Sequence, residues 1–137
     1  MNRKELKHLA AVRLKEAGCL LENRHYSGAY YLAGYDIECG LKACIAKQTK
    51  RFEFPDRKKV ADSHTHDLEA LLKLANLQAD LEAAMNADGQ LRINWTVVKD
   101  WKETSRYRKN KKDQARDLYH AVDEPTRGVL QWIKRYW

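Results

Sequence analysis

Only two prolines, six glycines and two phenylalanines occur among the 137 residues, and the three cysteines, Cys19, Cys39 and Cys44, form no CxxC pair. The scarcity of breakers, with 33% charged and 44% hydrophobic residues, excludes a fibrous or disordered chain and fits a mostly helical globule. No segment alternates apolar and polar residues as a half-buried strand does, and neither a fixed-period repeat nor a low-complexity tract is present. No glycine-rich turn suited to phosphate stands between a strand and a helix, so phosphate-loop and dinucleotide chemistry lack their framework, and no cofactor is expected. No apolar run approaches membrane-spanning length, and the opening MNRKELKHLAAVRLKEAG has no signal-peptide core, so the chain reads as cytoplasmic and free of membrane. The cysteines lie in apolar helical patterns and read as buried free thiols of a reducing compartment.

What is present is positive charge, and most of it is in one place. The formal net charge is +7. Between positions 102 and 116, Lys102, Arg106, Arg108, Lys109, Lys111, Lys112 and Arg116 face only Glu103 and Asp113, a local excess of five positive charges. Such a patch concentrates polyanions and makes RNA, a nucleotide or an acidic protein surface the leading partner. The length suits a single domain over residues 1–137, with one core and no need of metal or disulfide.

Hydrophobic period organises the rest into an all-α, up-and-down bundle of four to five main helices. Leu6, Ala10, Leu14, Ala17 and Leu21 form one amphipathic stripe. After a short interruption, Ser27 can cap a second helix, whose Tyr30, Ala33, Ile37, Leu41 and Ile45 run to about Gln48. So short a turn predicts antiparallel packing. Gly28, Gly34 and Gly40 inside the second helix predict that another backbone approaches it closely, which makes it the central helix. Its Glu38 and Lys42, at i and i+4, read as an exposed ion pair.

Positions 49–63 read as a loop anchored by Phe52 and Phe54 beside Pro55. Helix resumes at His66-Asp67-Leu68, a further short helix spans about 77–85, and Asn86 to Gly89 reads as a turn. A short helix from about Asn94 carries Trp95, Val98 and Trp101. The last helix starts near Lys111 and keeps one phase through Val122, Val129 and Ile133. That phase predicts one long helix kinked at Pro125; the alternative is a break, with Asp123 capping a new helix.

His64 and His66 are too close in sequence to share a helix face and have no partner pair with zinc spacing, so no metal site is expected. Cys39 and Cys44 lie in the apolar central helix, which argues against nucleophilic thiols. Trp95, Trp101 and Trp132 keep phase with apolar neighbours and read as core. Arg116 and His120 share a helix face, where a guanidinium could hold a phosphate while an imidazole exchanges a proton with a ribose hydroxyl or leaving oxygen.

Four segments in order, YSGAYYLAGYDIECGLKACIAK, HDLEALLKLA, WTVVKDWKETSRY and ARDLYHAVDEPTRGVLQWI, together resemble HEPN domains, and the resemblance covers nearly the whole chain. It implies a helical bundle that forms homodimers and is encoded beside a nucleotidyltransferase acting as its antitoxin, in toxin–antitoxin pairs. It also implies one of two activities: RNA or nucleotide binding, or metal-independent RNA cleavage through the 2′-hydroxyl. Cleaving members carry an arginine, four to six residues and a histidine at the start of the last long helix; here Arg116 and His120 enclose three. The pairs Arg3/His8 and Arg57/His64 satisfy the spacing, but lie away from the motif's place in the family. The resemblance places Glu38 and Lys42 on the family's second-helix pair, His66 and Asp67 on its His-Asp-Leu, and Arg106 and Tyr107 on its Arg-Tyr. The expected ligand surface therefore combines Arg106, Tyr107, Arg108 and Lys109 with Glu38 and Lys42. A third function, in which the basic face docks an acidic nucleotidyltransferase without catalysis, fits the same charge distribution.

Overall fold

The computed structural model describes residues 1–50 and 57–137. All regular structure among them is helical: α1 (Arg3–Glu22), α2 (Tyr26–Lys50), α3 (Arg57–Asp62), α4 (Leu68–Leu74), α5 (Gln78–Ala87), α6 (Gly89–Lys99), a 3-10 turn (Glu103–Tyr107), α7 (Lys112–Asp123) and α8 (Val129–Ile133). Phe52, Phe54 and Pro55 lie outside the described residues. The expected 49–63 loop is in part helix, since α2 runs through Lys50 and α3 follows from Arg57.

A capping box starts α1: Asn2 accepts from the Glu5 amide, and the Glu5 carboxylate accepts from the Asn2 amide. Leu6, Ala10, Leu14 and Ala17 are buried, as their period requires. Arg24 turns the chain in the left-handed region, with φ 64°, and α2 returns antiparallel along α1. Ser27 does not cap α2. It lies inside the helix, and its hydroxyl accepts from the Asn110 amide at 2.9 Å, which ties the entry to α7 onto α2.

As its composition suggests, α2 is the enclosed helix, in contact with α1, α4, the 3-10 turn, α7 and α8. The close approach to its glycines comes from side chains, not from a backbone. A Cβ at Gly34 would lie 2.2 Å from the Trp101 indole, so only glycine lets that ring lie flat on the helix. Trp101 itself follows the end of α6 and is 1% exposed. One contiguous apolar cluster joins α1, α2, α4, α5, α6, α7 and α8. With Leu118, Val122, Leu130 and Ile133 packed in it, the all-α bundle has the core that its periods implied.

Further boundaries differ from expectation: the helix expected from about Asn94 through Trp101 is α6, which starts earlier and ends before Trp101. Asn86 to Gly89 is not an open turn: α5 ends at Ala87, and Asp88 caps α6 at once, accepting from the Gln90 and Leu91 amides at 3.0 and 3.4 Å. The long last helix is broken, not kinked. Pro125 has no amide to donate and disfavours helical backbone at Glu124, which is extended at φ −46°, ψ 127°. The Glu124 carboxylate accepts from the Thr126 amide at 3.0 Å and from the Arg127 amide, which closes a tight turn. A Cβ at Gly128 would lie 2.5 Å from the carbonyl oxygens of Val122 and Glu124, so the turn closes only on glycine. Asn94 fixes it from α6, donating to the Arg127 carbonyl at 2.9 Å. The new helix starts after Gly128, so Asp123 ends α7 and does not cap α8.

Candidate functional site

Tyr31, Tyr35, Glu38 and Lys42 recur at helical spacing and form one stripe along α2. Burial grades along it: the tyrosines are half-buried, Glu38 is 1% exposed and Lys42 is partly exposed. Glu38 is therefore not the exposed member of a surface ion pair. Its Oε1 accepts from His66 Nδ1 and lies 3.8 Å from Lys42 Nζ, so one buried carboxylate balances an imidazole and an ammonium. The chain supplies His66 at this point because Asp67 caps α4, its side chain accepting from the Ala70 amide at 3.1 Å, and so fixes the backbone beside it. The His66 side chain remains 51% exposed, with Nδ1 engaged by the carboxylate and Nε2 without a hydrogen bond among the described residues.

Burial pushes the Tyr35 hydroxyl up to about 12, with Cys39 and Glu38 adding to the effect. It also raises Tyr31, with Glu103 adding and Arg106 opposing. Burial likewise pushes the Cys39 thiol up to about 12, helped by Glu38, and the Cys44 thiol to about 12. Neither is a thiolate at neutral pH, so neither is poised as a nucleophile. Cys19, expected to be buried with them, is exposed.

At one end of the stripe lies the 3-10 turn. Arg106 pairs with Glu103 at 2.9 Å, and its guanidinium lies 4.6 Å from the centre of the Tyr107 ring. Tyr107 is 75% exposed, the most exposed aromatic side chain among the described residues. Lys102, Arg108, Lys109, Lys111 and Lys112 are exposed and have no carboxylate within ion-pair distance among the described residues. Tyr31 joins this basic turn to the buried carboxylate: it interacts electrostatically with Arg106, Glu103 and Glu38, and its ring stacks on Tyr35 at 5.9 Å and 22°. At the other end, beside Glu38, Cys39 and Lys42, opens a groove of about 620 Å³ reached by Arg3, Lys59 and His64.

The structure thus groups Glu38, Lys42 and His66, and links them through Tyr31 to Arg106. Arg116 and His120 stand apart on α7. Arg116 is held by Asp113 at 3.2 Å and Asp117 at 3.8 Å, which neutralises the cation that would meet a phosphate. His120 is exposed in a shallow groove with Asp117, Glu124, Arg127, Ile93 and Val97. Arg3, the first member of another arginine–histidine pair, donates to the Trp137 carbonyl at 2.7 Å, while His8 is exposed. Tyr31 and Tyr35 escaped the sequence reading, although continuing the Glu38/Lys42 face back by two helical turns reaches both. No protein-family profile, curated protein or solved structure matches this chain.

Proposed function

We propose that this chain is a HEPN-type module that binds single-stranded RNA through the 3-10 turn and the adjoining α2 stripe. The carrying observation is Tyr107, left 75% exposed under the Arg106 guanidinium and followed by Arg108 and Lys109, which have no carboxylate within ion-pair distance among the described residues. An exposed ring costs solubility and contributes little to the fold; beside free lysines and arginines it supplies a stacking platform with phosphate contacts on either side. Arg108 and Lys109 are the phosphate contacts, because Arg106 is partly neutralised by Glu103. A toxin-like role beside a nucleotidyltransferase, and assembly as a homodimer, belong to the same proposal through the family resemblance.

Fluorescence anisotropy with a short single-stranded RNA across a salt series tests it. Tyr107→Ala should weaken binding by about 1–3 kcal/mol at each salt concentration, as expected for one stacked base. Lys109→Ala should lower the salt slope by roughly 0.7, the share of one single-strand phosphate contact. Affinity that is insensitive to salt, or unchanged in Tyr107→Ala, would remove the reading.

A further inference from the structure

We propose that the groove between α1, α2 and α3 binds a small aliphatic carboxylate, with its chain on the apolar floor and its head among the basic residues that line the opening. The inference does not rest on the RNA reading, since the groove opens at the other end of the α2 stripe from Tyr107. Its volume, about 620 Å³, is that of a small-molecule site. One face of α2 supplies Tyr35, Cys39, Ile45 and Ala46 as the floor, and Leu6 of α1 adjoins them. Tyr35 is the one aromatic ring lining it among the described residues, so the surface on offer is mainly aliphatic.

The apolar surface around the opening is left uncovered. Met1 is 74% and Val60 43% exposed, and both line the groove, so two of the five large hydrophobic side chains exposed among the described residues border one cavity. The helix that carries Val60, α3, buries none of its own residues. So short a helix depends on packing for its stability, and an aliphatic chain in the groove would give Val60 that packing.

Charge selects the head group. Arg3, Lys42, Lys59 and His64 line the groove against one carboxylate, Glu38, which is already shared by Lys42 and His66. Lys59 has no carboxylate within ion-pair distance among the described residues, and Arg3 Nε is buried without a hydrogen-bond partner among them. An enclosed guanidinium N–H that lacks an acceptor is costly, and a carboxylate head supplies one. A cationic ligand would meet like charge, and an uncharged one would pair with the cations only weakly.

Calorimetric titration of the full chain with hexanoate, octanoate and decanoate at neutral pH tests the site, with octanol and octylammonium as uncharged and cationic controls. Binding should saturate at one ligand per chain and tighten by about tenfold for every two methylenes added. Octanol should bind about tenfold more weakly than octanoate, and octylammonium more weakly still. Lys59→Ala should weaken octanoate by about fivefold and leave octanol unchanged, which a merely structural lysine would not do. Ala46→Trp fills the floor and should abolish binding; if it unfolds in a thermal scan, Val60→Asp, on a helix that buries nothing, makes the same test by repelling the head and interrupting the apolar wall. No saturable binding of decanoate, an affinity indifferent to chain length, or octanol bound as tightly as octanoate overturns the proposal. Octanoate that binds Ala46→Trp as tightly as the parent belongs to another basic surface and overturns the groove as its site. Adenosine monophosphate that displaces octanoate at lower concentration assigns the groove to a planar anion and overturns the aliphatic ligand.

Discussion

His66 and His120 each stand near a basic residue on a helical framework, yet their surroundings differ in kind. Behind His66 lies Glu38, almost wholly buried on the central helix and shared with Lys42. Around His120 lie Asp117, Glu124 and Arg127 at an open surface, and its i−4 neighbour Arg116 is already occupied by Asp113 and Asp117. Arg116 and His120 were the catalytic candidates in the sequence because they share a helix face, although they enclose three residues and not four to six, whereas Glu38 looked like half of a surface ion pair. Burial separates the two: water screens the α7 charges, while the protein interior strengthens and orients those on α2.

The contrast breaks most visibly if the enclosed side of the bundle tolerates added volume. Gly34→Ala places a Cβ 2.2 Å from the Trp101 indole and should destabilise the fold by about 3 kcal/mol in urea denaturation. Gly89→Ala, at the start of α6, where an added Cβ meets nothing within 4 Å, should stay within about 0.5 kcal/mol. Equal midpoints for the two variants would refute the close approach.

A smaller difference should separate the two histidine regions themselves. Glu38→Ala removes the acceptor of His66 and the partner of Lys42 from a buried position and should cost about 2 kcal/mol. Arg116→Ala, which breaks two exposed pairs, should cost less than about 0.5 kcal/mol. If Arg116→Ala proves the more damaging in the same thermal scan, the assignment of the structural centre to α2 is wrong.

A third, gentler test uses Asp36, which is wholly buried and has no hydrogen-bond partner for either oxygen among the described residues. Burial, with Asp123 adding and Lys134 opposing, holds its carboxyl well above the usual carboxylate range. The folded state therefore keeps a proton that the unfolded state releases, and stability falls as pH rises from about 4, the unfolded carboxylate value, toward the raised one. Asp36→Asn removes that loss. It should raise the melting temperature at neutral pH, and the gain should shrink to nothing as the pH is lowered to about 4. A gain independent of pH would show that ionisation is not the cause.

Much of the scaffold could be read along the chain. The stripes of α1 and α2, the resumption of helix at His66-Asp67-Leu68 and the start of α7 follow from local period, and they appear within a few residues of where those signals fall. The break at residues 124–128 was ambiguous for a physical reason. Val122, Val129 and Ile133 stay in the core on both sides, so the hydrophobic phase persists although the helix does not. Asn94 and Gly128, which hold the turn together, act through a tertiary hydrogen bond and a backbone crowding that no periodicity records.

By itself, the sequence determined that this protein is helical, that α2 lies at its centre and that its positive charge is concentrated before α7, because helical period, small residues and charge runs are properties of neighbouring positions. Only the tertiary structure decided that Trp101 lies on Gly34, that Ser27 holds Asn110, and that Glu38 is buried against a histidine 28 residues away. Those contacts depend on which faces meet when the helices pack, and a carboxylate changes from a screened surface charge to an orienting one only when packing removes its water.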